Sequence, residues 1–218
     1  MLKKVNSFDG TTISYHYNKG KTPTLVFLHG VGGNWTVWKK EIEFFKKRGR
    51  STLALDLRGH GESEVPKPFS KYKLPSFSKD IKSILDKEKI KDFSLIGHSL
   101  GGCVSIVYCN LYKKKLPSSL VLIETATVYP FDHNHLLNHS PYLTHFLRFI
   151  SQHQPTYKYY PHFKNVDLST KGIKGQLRRI SHLLHLTPLY SIAKTLDNAE
   201  EYAFKNQKII SQTLKNLK

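Results

Sequence analysis

With 218 residues, 39% of them hydrophobic, the chain is long enough to bury one sizeable core without disulfide or metal staples, and wholesale disorder is excluded. Lysine and arginine number 34 against 16 acidic residues, giving a formal net charge of +18. The excess is mostly lysine, spread over both halves, without an arginine-rich groove or interleaved aromatic motif; it reads as a solvated surface, not as specific nucleic-acid recognition.

In chain order, Lys3 to Tyr17 carries an Asp9-Gly10 turn between two β-prone runs and predicts a hairpin. Thr24 to Leu28 follows as a strand. Trp35 to Lys47 has helical periodicity, with Trp38, Ile42 and Phe45 on one face. Ser51 to Leu57 reads as a strand, Glu64 to Pro75 as a proline-rich loop, and Phe77 to Lys89 as a helix through Ile81, Ile84 and Leu85. Phe93 to Ile96 is a short strand, Leu100 to Tyr112 a helix, and Leu120 to Ile123 another strand. Strands alternating with helices predict an α/β fold with a mostly parallel sheet, and the continuous apolar runs suit strands buried on both faces.

From Thr125 onward the strand signals stop, and His, Tyr, Phe and Leu dominate as far as Tyr190 in what reads as several short helices. Eight of the twelve histidines fall here: His133, His135, His139, His145, His153, His162, His182 and His185. None follows a zinc-binding spacing with carboxylate or cysteine support, so no metal is expected. Lys194 to Lys218 reads as a last amphipathic helix with Leu196, Phe204, Ile209, Ile210 and Leu214 apolar. Cys103 and Cys109, six residues apart on one helix, would stand roughly 9 Å apart, too far for a disulfide. The first ten residues carry no apolar targeting segment, and no stretch approaches membrane-spanning length; a cytoplasmic protein is expected.

The chemistry concentrates in three segments. Phe93 to Gly102 reads Phe-Ser-Leu-Ile-Gly-His-Ser-Leu-Gly-Gly, a strand running into Gly97-His98-Ser99-Leu100-Gly101 and then a helix. This is a Gly-x-Ser-x-Gly elbow: a serine on so sharp a turn presses against its neighbours two residues away, and glycine fits there because it lacks a Cβ. Thr24 to Gly33 is a strand breaking into His29-Gly30-Val31-Gly32-Gly33. Thr52 to Ser63 is a strand ending in the glycine-punctuated turn Asp56-Leu57-Arg58-Gly59-His60-Gly61. In this order and spacing the three resemble the α/β-hydrolase superfamily, in its single-domain esterase, lipase and C–C hydrolase branch. The resemblance implies a hydrolase core over 1–124, a helical cap over 125–193 and a C-terminal helix over 194–218, with the family's last core strands missing from the sequence.

The same resemblance implies a carboxylic-ester or related acyl hydrolase that needs no cofactor and acts on a small-molecule substrate. Ser99 would be the nucleophile, and the backbone N–H groups of Leu100 and Val31 the oxyanion donors. His29, Gly30, Gly32, Gly33, Gly97, His98 and Gly101 would support those loops, and His60, Asp56 and Arg58 sit at positions that are usually structural. An aspartate in place of Ser99 would have suggested dehalogenase or epoxide chemistry. In this family the acid and the histidine base follow the last strands. Glu124 is the one acid at a position the family permits, where a structural carboxylate is the other reading; the catalytic base is unassigned. The isolated chain is therefore expected to be a weak hydrolase. The alternatives are a non-catalytic ligand-binding homologue and one half of a split enzyme completed by a C-terminal polypeptide.

Overall fold

The computed structural model describes residues 2–125, 173 and 187–217. The expected cap and its eight histidines lie almost wholly outside the described residues. Strands β1 (Leu2–Asn6), β2 (Thr12–Asn18), β3 (Lys21–Leu28), β4 (Arg50–Leu55), β5 (Phe93–His98) and β6 (Ser119–Ile123) form one sheet in the order β1-β2-β4-β3-β5-β6. The hairpin β1-β2 and the β2-β4 pair are antiparallel, whereas β4, β3, β5 and β6 run parallel. The mostly parallel α/β architecture read from the sequence is the one observed.

Helices cover both faces. A 3-10 turn (Trp35–Trp38) and α1 (Lys39–Lys47) lie on one, where Trp38 and Ile42 pack against Phe27 and Ala54. On the other lie α2 (Leu74–Lys87), α3 (Leu100–Leu111) and α4 (Leu189–Asn216). Here Val26, Leu28, Leu53, Leu55 and Leu95 meet Phe77, Ile81, Ile84, Val104 and Val107 in the main core. Alternate residues of one strand, Val26 and Leu28 against Phe27, thus serve opposite layers, as the two-residue period of a strand requires.

The strand expected at Thr24 begins at Lys21 and the helix expected from Trp35 opens as a 3-10 turn; three further boundaries differ for a local reason. The helix expected at Phe77 begins at Leu74, because Pro75 falls in its first turn, where a missing N–H costs nothing. The strand expected to reach Leu57 stops at Leu55, where Asp56 turns aside to accept main-chain N–H groups. The helix expected from Lys194 begins at Leu189, directly after Pro188, and has a kink at Asn206 (φ −125°, ψ 20°).

The apolar stripe expected on that last helix also needs correction. Leu196 and Ile209 face outward, while Ile210 and Leu214 pack near Ile106 and Leu122; the Phe204 side chain lies outside the described residues. The buried face of its first half is largely polar: Ser191, Lys194, Thr195 and Asn198. Three of them donate to main-chain oxygens of the segment after β4, Ser191 Oγ to Gly59 O at 2.7 Å, Lys194 Nζ to Lys67 O at 2.8 Å and Asn198 Nδ2 to Phe69 O at 3.4 Å.

A buried cation fastens the loops at the C-terminal end of the sheet. Arg58 is wholly buried and donates from Nε and Nη2 to the Asp80 carboxylate of α2 at 2.7 and 2.6 Å. Its Nη1 reaches Asp9 in the β1-β2 turn at 3.0 Å and Lys71 O at 2.8 Å. Removing one partner of such a pair strands a buried charge, whereas the Lys82–Asp86 pair on α2 is partly exposed to solvent. Asp80→Ala should therefore cost about 3–5 kcal/mol in urea unfolding, and Lys82→Ala less than about 1 kcal/mol. Similar losses for both would refute the structural role assigned to Arg58.

Candidate functional site

Ser99 sits between β5 and α3 with φ 49° and ψ −115°, a left-handed backbone that a residue with a side chain rarely adopts. The flanking glycines explain how the turn closes. A Cβ on Gly97 would stand 2.5 Å from the main chain of Gly101 and Gly102, and one on Gly101 would overlap the carbonyl of Leu28 on β3. The steric reason read from the sequence is thus visible atom by atom. The Ser99 amide donates to Ile123 O at 2.9 Å, tying the elbow to β6. Its carbonyl accepts from Gly102 and Cys103 as the first turn of α3. Leu100, at the first helical position, has one of the N–H groups that a helix leaves unsatisfied at its start.

The 30–33 loop stands against this elbow. A Cβ on Gly30 would lie 3.3 Å from the Ser99 Cβ and 2.9 Å from His98 Nδ1. Gly33 N–H closes the turn on Gly30 O at 3.1 Å, and Gly32 takes a φ of 76°. Val31, half-buried, packs on the main core. The two segments that the sequence brought forward are therefore neighbours in space.

Buried histidines hold the loop from behind. His29 Nε2 accepts the Leu57 N–H at 3.0 Å, which leaves the ring proton on Nδ1 to donate to Gly30 O at 2.7 Å. His60 lies with its ring centroid 5.2 Å away and donates from Nδ1 to Arg58 O at 2.9 Å; its Nε2 has no partner among the described residues. Burial drives both well below the usual imidazole range, His29 to about 3 and His60 to about 4, so both stay neutral. Asp56 accepts the Trp35 N–H at 2.7 Å and the Glu62 N–H at 2.9 Å, joining the chain after the 30–33 loop to the turn after β4. Burial pushes its carboxyl up to about 7, against the pull of those two N–H groups.

His98 and Glu124 form a pair at the rim, His98 Nε2 lying 3.1 Å from Glu124 Oε2. Glu124, like Ser99, has a positive φ, 47°, and its side chain is largely exposed. This pairing was not read from the sequence; the signal was available in the adjacency of β5 and β6, which sets His98 beside Ile123. Among the described residues no histidine is hydrogen-bonded to the Ser99 hydroxyl. Cys103 and Cys109 form no disulfide, and burial pushes both thiols up to about 11, away from thiolate chemistry. No group of three or more metal-ligating side chains gathers among the described residues.

Against known proteins, residues 23–199 match the family model described as alpha/beta hydrolase fold. Epoxide hydrolase 4 of Mus musculus is 35% identical over 114 residues, which is 50% of this chain and 31% of that protein. Protein ABHD8 of Homo sapiens is 34% identical over 93 residues, 43% of this chain and 20% of that protein. The matched stretch thus spans a third or less of these curated relatives. Among solved structures, the esterase EaEST from Exiguobacterium antarcticum superposes with a TM-score of 0.65 at 17% identity, over 91% of this chain and 73% of that one. An epoxide hydrolase from Bacillus megaterium gives 0.64 at 17% identity, over 90% and 71%. At such identities the superpositions show the fold.

The buried titratable groups set a pH signature. His16, His29 and His60 resist protonation when folded, His16 being lowered by burial to about 4, so they lose stability as pH falls below 6.5 toward those values. Asp56, raised to about 7, works the other way, because the folded state takes up its proton before the unfolded chain does. Burial raises Asp80 as well, but three such histidines outnumber two aspartates, and stability should fall on acidification from pH 6.5 to 4. His60→Gln should make that fall shallower and Asp56→Asn steeper, measured as denaturant midpoint against pH. A slope unchanged by His60→Gln would contradict the neutral, buried imidazole.

Proposed function

The chain belongs to the α/β-hydrolase fold family, and we propose that it is a serine hydrolase acting on a carboxylic ester or related acyl substrate. The observation that carries this reading is the strained Ser99 turn with the Gly30 loop packed against its Cβ. Attack by the Ser99 hydroxyl on a carbonyl carbon forms a tetrahedral intermediate whose oxygen becomes negative. The Leu100 N–H at the start of α3 and the Val31 N–H would donate to it, and collapse would expel the alcohol to leave an acyl-Ser99 that water hydrolyses. Glu124 is the candidate acid. Some relatives are epoxide hydrolases, but the residue on the elbow is a serine, which favours acyl transfer.

Serine needs a base, and the described residues offer none in contact with Ser99. We therefore propose weak turnover for the chain alone, with the base supplied from outside the described residues by a complementary polypeptide. A non-catalytic binding homologue is the second reading, favoured by the absence, among the described residues, of a base in contact with Ser99. Two thiols outside any disulfide, Cys109 buried and Cys103 half-buried, support a reducing, cytoplasmic setting, and no described helix is long and apolar enough to cross a membrane.

Fluorophosphonate labelling tests the proposal. The chain alone should label slowly and only at Ser99, Ser99→Ala should not label, and adding the complementary polypeptide should speed labelling and release p-nitrophenol from short-chain esters. No acceleration by the complement would favour the binder. Fast Ser99-dependent turnover by the chain alone would overturn the assignment of its base to another polypeptide.

A further inference from the structure

The layer formed by the 3-10 turn and α1 exposes a face that the catalytic reading does not use. Trp38 and Ile42 point into the core, which leaves Val37, Lys40, Phe44, Lys47 and Arg48 on the solvent side at helical spacing, with Glu41 the one acid among them. Val37 is 53% and Phe44 49% exposed, unusual for two large apolar residues two turns apart on one face. The Arg48 guanidinium lies 3.5 Å from the Phe44 ring centroid, and its Nη1 donates to Phe44 O at 3.2 Å, so a cation is fixed on the aromatic.

The charge around these two residues is strongly net positive. Residues 39–50 carry six cations against Glu41 and Glu43. Among the described residues no ion pair joins Lys39, Lys40, Lys46, Lys47 or Arg48 to an acid, whereas Lys82 and Lys115 on the opposite layer meet Asp86, and Lys3 meets Glu88. Apolar side chains flanked by free cations on a helix lying along a surface have the chemistry that binds a bilayer with anionic headgroups. The apolar groups enter the headgroup–acyl boundary while the cations meet the lipid charge. We propose that the outward face of residues 37–48 docks this protein on an anionic lipid surface. A single-stranded nucleic acid fits less well. The Arg48 guanidinium occupies one face of the Phe44 ring that a base would stack on, and Val37 offers a base nothing.

Docking of this kind is independent of Ser99, so its failure and that of the hydrolase reading can be told apart. The full chain would be sedimented with vesicles of phosphatidylcholine alone, or of equal parts phosphatidylcholine and phosphatidylserine. It should bind the mixed vesicles, release from them as salt rises, ignore the neutral ones, and bind unchanged as Ser99→Ala. Lys40→Glu with Lys47→Glu should weaken partitioning by roughly tenfold or more. Val37→Asp with Phe44→Asp should weaken it comparably. Lys113→Glu with Lys114→Glu, the same change of charge on the opposite layer, should leave it within about twofold. All these positions are exposed, and circular dichroism with urea midpoints checks that each variant folds. Failure to bind mixed vesicles, equal loss in the Lys113/Lys114 control, or binding to poly(U) in place of vesicles would overturn the proposal.

Discussion

Main-chain crowding at the end of β5 is the constraint on which the rest depends. Gly97, Gly101 and the Leu28 carbonyl approach so closely that a single added methyl group at either glycine meets backbone, not a movable side chain. Backbone cannot yield without shifting β3 against β5, two adjacent inner strands of the sheet. The tightness forces Ser99 into left-handed geometry and leaves the first amides of α3 open beside it. Strain of this kind persists only where the surroundings over-determine it. Here they do, through the Ser99 amide held by Ile123 O and the parallel pairing of β3, β5 and β6.

Behind the elbow runs a continuous set of buried polar contacts. His29 holds Gly30 O, Leu57 N–H holds His29, and Asp56 holds the chain on both sides of these loops. Arg58 then anchors the same segment to α2 and to the first hairpin turn, and α4 closes over it by donating to Gly59 O and Lys67 O. Apart from the Arg58–carboxylate contacts, each satisfies a main-chain group with a buried side chain, so the loops that shape the site are held without belonging to helix or strand. Neutral His29 and ionised Arg58 reach this end by different routes: burial suppresses charge where there is no partner and tolerates it where two carboxylates converge.

Much of this was legible in the sequence because its causes are local. The Gly-x-Ser-x-Gly spacing is steric, the apolar runs at 24–28, 51–55 and 93–96 are long enough to show burial on both faces, and Asp9-Gly10 marks its turn. What escaped depended on partners distant in the chain. Pro75 and Pro188 look like helix breakers until one knows that they stand at helix starts. Of the apolar residues Leu196, Phe204, Ile209, Ile210 and Leu214 that suggest the inward face of α4, Ile210 and Leu214 pack inward, but the groups that dock its first half are Ser191, Lys194 and Asn198, whose acceptors are carbonyls of the 59–69 segment. No apolar periodicity reveals such a face. The His98–Glu124 pair likewise follows from strand order, which a sequence does not print.

The most direct test is a crystal structure of the chain phosphonylated at Ser99. The phosphonyl oxygen should then lie within hydrogen-bond distance of the Leu100 and Val31 amides, between the elbow and the 30–33 loop. An adduct whose oxygen points to solvent, with the 30–33 amides turned away, would contradict the reading of these two loops as halves of one site.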